Sequence, residues 1–164
     1  MMRRCYVALG SNIDAARHIV GSVAELRDRF GKVTLSTVYE SEAAGFAGEP
    51  FLNAVAAFDS TASPDRLSGI LRAIEIAHHR NRQAPKFSAR TLDLDLILHD
   101  NTVINTPTIR LPHPDIERYW FVLKPLIELA PEAKHPVTQR TYKALWPSCD
   151  HPPTADIRTV SLPI

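Results

Sequence analysis

Lys86-Phe87-Ser88-Ala89-Arg90-Thr91-Leu92-Asp93-Leu94-Asp95-Leu96-Ile97-Leu98 is the stretch on which the reading of this chain turns. From Leu92 onward it alternates with a period of two, as a strand does when successive side chains point to opposite faces. Leu92, Leu94, Leu96 and Leu98 make one face and read as core. Asp93, Asp95 and Ile97 make the other, where apolar packing gives no reason for two carboxylates. Residues two apart on a strand are separated by roughly 6.6 Å. Carboxylates so placed repel, and one tends to keep its proton unless a cation lies between them. Hard oxygen ligands suit Mg²⁺, which completes its shell with water and phosphate. Two such ions about 4 Å apart clamp a phosphoryl group from both sides. The plainer alternative is the solvated outer face of an edge strand.

The flanking residues favour phosphate. Arg80, Arg82, Lys86 and Arg90 put four cations into the eleven residues that end at Arg90. A basic loop is commonly just solvated, but one that abuts an Asp-x-Asp strand suits a polyphosphate, which takes both Mg²⁺ and guanidinium contacts. Glu75 lies between Ile74 and Ile76 on the preceding helix, so its face is ambiguous. His113 sits between Pro112 and Pro114 in a fixed local geometry. His78 and His79 are adjacent on a helix and point apart, which argues against a metal pair. Neither a Walker loop nor a strand-linked Gly-x-Gly-x-x-Gly occurs.

Upstream, Arg4 to Leu9 reads as a strand stopped by Gly10-Ser11-Asn12. Asp14 to Phe30 has the helical period at Ile19, Val23, Leu26 and Phe30, and Gly31 ends it. Val33 to Tyr39 and Phe51 to Phe58 read as strands, with a loop between them. Ser63 caps a helix that has Pro64 at its first position and a stripe of Leu67, Ile70, Leu71, Ile74 and Ala77. Downstream, Asp100-Asn101 is a turn, Val103-Ile104 is a short strand expected to pair back, and Asp115 to Glu128 holds one or two helical pieces. The order β-α-β-β-α-β predicts an α+β, ferredoxin-like sandwich with an antiparallel sheet, helices on one face and C-terminal additions.

The 164 residues suit one domain, 1–164, and the net charge of +1 is too small for general attraction to nucleic acid or anionic membranes. Two cysteines, Cys5 and Cys149, make no disulfide framework. No signal peptide or membrane span is predicted, so a cytoplasmic location is expected. Ten of the thirteen prolines lie from Pro107 onward, which predicts more loops there than in the first hundred residues, and no functional signal is legible after about Pro136.

Arg90-Thr91-Leu92-Asp93-Leu94-Asp95-Leu96-Ile97-Leu98 resembles the signature of the hydroxymethyldihydropterin pyrophosphokinases. Tyr6-Val7-Ala8-Leu9-Gly10-Ser11-Asn12, Pro50-Phe51-Leu52-Asn53-Ala54, Val103-Ile104-Asn105-Thr106, Leu111-Pro112-His113-Pro114, Phe121-Val122-Leu123-Lys124-Pro125-Leu126 and Ala130-Pro131 are similar to further family segments in the same order. The likeness runs from about Tyr6 to about Pro131. It implies transfer of pyrophosphate from ATP to a hydroxymethyl-dihydropterin, with AMP released, in folate biosynthesis. Asp93 and Asp95 would hold two Mg²⁺ ions, and Arg80 and Arg90 would act with them in catalysis. ATP would be contacted by Glu75, Arg80, Arg82 and Arg90, by His113, and by position 96, here Leu96. The pterin would stack between Phe51 and Phe121 and bond to Asn53 and to backbone groups of residues 41–45. The partners implied are these two small molecules, with neither nucleic acid nor membrane, on a monomer or weak dimer.

The chain also departs from the family pattern. Phe87-Ser88-Ala89 stands where Trp-Gly-Pro is usual, Gln83 replaces a basic residue, and the loop Glu42-Ala43-Ala44 lacks its usual proline. Tyr119 occupies the place of an arginine, with Arg118 beside it. Three readings follow: the folate enzyme with tolerated drift, a paralogue acting on a related hydroxylated pterin, or a homologue that binds without turnover. An Asp-x-Asp glycosyl- or nucleotidyltransferase needs a different order of elements.

Overall fold

The computed structural model describes residues 1–43, 48–79 and 89–164. Arg80, Arg82, Gln83, Lys86, Phe87 and Ser88, with residues 44–47, lie outside the described residues.

Strand β1 (Arg3–Ser11) leads into helix α1 (Ala15–Phe30). The helix stops at Gly31, whose φ of 77° suits a residue without Cβ and lets its N–H bond the Arg27 carbonyl at 2.9 Å. The expected strand over Val33 to Tyr39 is in fact two, β2 (Thr34–Leu35) and β3 (Val38–Ser41). The break falls at Ser36, whose Oγ takes the Val55 N–H at 2.9 Å and so replaces a ladder carbonyl. Strand β4 (Phe51–Ser60) and helix α2 (Pro64–Ala77) follow, with the Ser63 Oγ accepting from Arg66 N at 3.2 Å as the predicted cap. The signature strand is β5 (Asp93–His99).

The main sheet runs β5-β1-β4-β3, each pair antiparallel, with β2 also on β4. That strand order, with α1 and α2 between the strands, is the ferredoxin-like arrangement. α1 and α2 cover one face over Cys5, Val7, Leu9, Leu94, Leu96 and Phe58.

The second face differs from expectation, because it too is covered. The short α3 (Asp115–Arg118), α4 (Trp120–Leu129) and α5 (Tyr142–Leu145) bury Val55, Ile97, Ile116, Leu123 and Tyr142 against it. Their apolar residues give the sheet a second core, so the proline-rich third of the chain, rich in loops as expected, is nonetheless packed against the sheet. Leu98 belongs to this second core instead of the leucine face. Tyr6 pairs with Leu98 and Val7 with Leu96, so Ile97 is an extra residue, and the bulge turns Leu98 over. Ile104–Asn105 (β6) pairs with Arg110–Leu111 (β7) as a separate hairpin, and not with β5. Arg158–Val160 (β8) adds an outer strand to β3.

Both cysteines are free and buried, and burial pushes the Cys5 thiol up to about 11. No helix among the described residues is long and apolar enough to cross a membrane.

Gly31→Ala is expected to cost roughly 1 kcal/mol in urea unfolding, purely from the left-handed backbone, since nothing lies within 4 Å of a Cβ there. An unchanged midpoint would show that this helix end relaxes freely.

Candidate active site

The register places one row of side chains across the second face: Asp93 on β5 beside Gly10 on β1, Gly10 beside Asn53 on β4, and Asn53 beside Tyr39 on β3. Asp95 beside Ala8 is the neighbouring position, and Ala8 pairs with Val55. Strands are spaced by about 4.8 Å, so Asp93 and Asn53 stand roughly 10 Å apart with only a glycine between them. A Cβ built on Gly10 would meet Asn53 Oδ1 at 3.7 Å and Phe51 Cδ1 at 3.9 Å, ordinary contacts that would fill the floor without strain. At this end of the row Gly10, Phe51 and Asp93 are partly exposed, and Asn53 is buried.

Gly10-Ser11-Asn12 has a structural task here. Asn12 Oδ1 accepts the Arg90 N–H at 2.6 Å, while the Arg90 carbonyl accepts from the backbone N–H groups of Asn12 and Ile13 at 3.0 and 3.2 Å. Asn12 Nδ2 donates to the Glu49 carbonyl at 3.0 Å, and the Ser11 hydroxyl bonds the Thr91 carbonyl. The turn therefore fastens the entry to β5 and the approach to β4. So held, the Arg90 guanidinium meets Asp93 at 2.9 Å, with both side chains partly exposed.

Glu75 is neither a surface carboxylate nor core filler. It is buried on α2 and accepts the Leu94 N–H of the edge strand at 2.9 Å. Asp95 is half-buried rather than facing solvent. Desolvation raises its carboxyl well above the usual range, and the charges of Asp93, Glu75 and Asp115 push the same way against Arg90. His113 is drawn in by its backbone N–H bond to the Ile97 carbonyl at 3.0 Å. Its Nδ1 accepts the Asp115 N–H at 3.1 Å, so a neutral ring carries its proton on Nε2. Burial lowers its pKa, opposed by Asp115 and Asp93.

Asp95, His113 and Asp115 each offer a ligand atom within 4.8 Å of the others. Asp115 was not singled out in the sequence; its position two residues after His113 is the signal that pointed to it. Arg118 lies 3.9 Å from Asp115 and so reaches this cluster, while Tyr119 turns away to stack on Phe121. Arg72, Glu75, Asp95, Leu96, Arg110 and His113 border a cavity of about 210 Å³ that adjoins the cluster. Arg72 and Arg110 are further cations that the sequence reading missed, because they are distant in the chain from the signature.

On the other side of Gly10, Asn53 is buried. Its Nδ2 donates to Ser41 Oγ at 2.8 Å and to the Tyr39 carbonyl at 3.3 Å, which leaves Oδ1 toward Gly10. Phe51 and Phe121 are both partly buried, not core. Of the predicted residues, then, Glu75, Arg90, Asp93, Asp95, Leu96 and His113 are brought together, and Phe51 and Asn53 adjoin them across Gly10.

A family model for 7,8-dihydro-6-hydroxymethylpterin-pyrophosphokinase (HPPK) matches residues 6–131. The chain belongs to the HPPK family. It is 36% identical over 140 residues to the 2-amino-4-hydroxy-6-hydroxymethyldihydropteridine pyrophosphokinase of Pseudomonas aeruginosa, covering 83% of this chain and 86% of that one. With the enzyme of the same name from Aquifex aeolicus it shares 32% over 148 residues, 89% of this chain and 92% of the relative. Among solved structures, wild-type HPPK-DHPS of Plasmodium falciparum superposes with a TM-score of 0.69 over 90% of this chain, at 13% identity. That likeness speaks for the fold alone, and this HPPK-family chain spans 44% of the length of that protein.

The crowding around Asp95 has a measurable consequence. Its folded-state carboxyl titrates above the unfolded value of about 3.9. The stability it contributes is complete below that value and is lost as pH rises through the folded-state value. Asp95→Asn should therefore raise the melting temperature at pH 8 in metal-free buffer, with the gain vanishing toward pH 4. Equal melting temperatures at pH 8 would remove the electrostatic account of this carboxylate.

Proposed function

We propose that this chain transfers the terminal pyrophosphate of ATP to the hydroxymethyl group of 6-hydroxymethyl-7,8-dihydropterin, giving AMP and the pterin diphosphate for folate biosynthesis. The observation that supports this is the row Asp93–Gly10–Asn53, in which a carboxylate and a hydrogen-bonding side chain stand about 10 Å apart with a glycine between them. A pterin over Gly10 would find Asn53 Oδ1 as an acceptor and the rings of Phe51 and Phe121 as its walls. Its hydroxymethyl oxygen would then point toward Asp93 and Asp95, to form a bond to the β-phosphorus while its proton leaves to solvent and the bond from that phosphorus to the bridging oxygen of AMP breaks.

The donor set fits Mg²⁺. Asp95 is crowded by Asp93, Glu75 and Asp115, and such a group of oxygens is relieved by a hard cation. When bound, Mg²⁺ would neutralise phosphate charge at Asp93 and Asp95, where the proposal has two ions. The chain's own residues do the rest by positioning and charge. Arg90, fixed by Asn12, presents its guanidinium beside Asp93, where charge develops on the phosphate. His113 offers Nε2–H as a neutral donor. Arg118 supports the carboxylate cluster through Asp115. Arg80 and Arg82 are proposed as further phosphate contacts, and Leu96 as an apolar wall of the ATP cavity.

A cluster held at electrostatic cost favours turnover over simple binding, since a binding protein gains little from crowded carboxylates. The proposed setting is the cytoplasm, supported by the two free, buried thiols, and the proposed working unit is the single domain 1–164 as a monomer or weak dimer.

AMP release from ATP and Mg²⁺ should require the pterin and should fall at least about a thousandfold in Asp95→Ala. AMP release that ignores the pterin would refute the transfer reaction. Gly10→Ala should leave the melt close to wild type yet lower pterin-dependent turnover by about tenfold or more, because its Cβ occupies the floor on which substrate must lie. Wild-type turnover in this variant would move the pterin elsewhere.

A further inference from the structure

The C-terminal segment approaches the site from beyond residue 131, where the match to the family model ends. After α5, Asp150 N bonds the Glu117 carbonyl at 3.1 Å and His151 N bonds the Arg118 carbonyl at 2.7 Å. Trp120 N bonds back to the His151 carbonyl at 3.2 Å, so residue 151 bridges in parallel to Tyr119 at the start of α4. Seven residues later the chain is tied again, where Arg158 pairs with Glu40, Thr159 with Tyr39 and Val160 with Val38. Between these two anchors the segment walls a groove of about 730 Å³ that also includes Ser41, Glu42 and Phe121.

Inside this groove three rings stack in sequence. Phe121 lies on Tyr119 with centroids 5.1 Å apart and planes 22° from parallel, and Tyr119 lies on His151 at 5.2 Å and 15°. Trp120 meets the Phe121 edge at 6.0 Å. The Phe121 ring is thus braced from the side of the tail. Tyr119, which stands where the family usually has an arginine, is the middle ring of this brace, and His151 is its outer support. Departure and tail are parts of one arrangement.

We infer that His151, acting through Tyr119, is a positioning residue that fixes the Phe121 ring for a flat heteroaromatic substrate, making the C-terminal segment a determinant of pterin affinity. This rests on the proposed role of Phe121 against the pterin. A ring braced on one face keeps its orientation before the substrate arrives, so less freedom is lost on binding. His151 is exposed, so its side chain contributes this brace rather than core stability.

The test uses the full chain with ATP and hydroxymethyldihydropterin varied separately. His151→Ala should raise the pterin KM about three- to tenfold, the range for one aromatic pair, with kcat and the ATP KM within about twofold of wild type. His151→Phe, which restores a flat ring, should bring the pterin KM back. A pterin KM unchanged in His151→Ala, an equal rise in both KM values, or no recovery in His151→Phe overturns the inference while leaving the pyrophosphokinase reading intact. Should the wild type release no pterin-dependent AMP, that reading fails, and calorimetric pterin affinities of the three proteins take the place of KM. A wild type that binds no pterin overturns both.

Discussion

The site depends on the reciprocal hydrogen bonding between Asn12 and Arg90. β1 ends in a turn whose asparagine takes the Arg90 N–H and whose backbone returns two N–H groups to the Arg90 carbonyl. That clasp adds to the Ser11–Thr91 and Glu75–Leu94 hydrogen bonds in holding the start of β5, and Asp93 sits at the first position of the strand. The same asparagine reaches Glu49 just ahead of Phe51. One side chain therefore sets the spacing between the carboxylate edge and the aromatic edge, the quantity that a two-substrate reaction is most sensitive to. A bond this local can act so widely because β1 is central, with β5 on one side and β4 on the other.

Much of this was legible in the sequence, for identifiable reasons. The period-two run from Leu92 to Leu96 places the aspartates opposite the leucines, and pairing to β1 then has to bring Gly10 and Ala8 alongside them. Ser63 with Pro64, and Gly31 after Phe30, mark helix ends by chemistry that operates within a few residues. The order of elements determines the four-stranded core. What escaped the reading depends on long-range contact. The bulge at Ile97 leaves no mark in a run of Leu, Ile and Leu, because both faces at that point are apolar. Ser36 interrupts a strand only because Val55 lies opposite its hydroxyl.

The second face shows the same limit. A proline-dense stretch gives weak local signals, so α3 and α4 read only as C-terminal additions and α5 is not read at all; their apolar residues find partners on Val55 and Ile97, which are distant in sequence. Arg72 and Arg110 join the cavity, and Asp115 joins the carboxylate cluster, by the same route, from α2, β7 and α3. The tail beyond Pro136 has no motif, yet its backbone hydrogen bonds to Arg118 and Trp120 give it a defined path. Chemistry-bearing residues thus announced themselves where they clustered in sequence, and stayed silent where the fold gathered them.

Glu75 has one more consequence. β5 is a sheet edge, and an edge strand with an unpaired N–H is a template on which another chain can add a strand. The Leu94 N–H is instead occupied by the Glu75 carboxylate, with α2 laid along the edge. With that N–H already bonded, the carbonyl of an incoming strand finds no donor there. The carboxylate that borders the 210 Å³ cavity therefore also occupies the backbone position at which another chain could add, so edge protection and the candidate site share one residue.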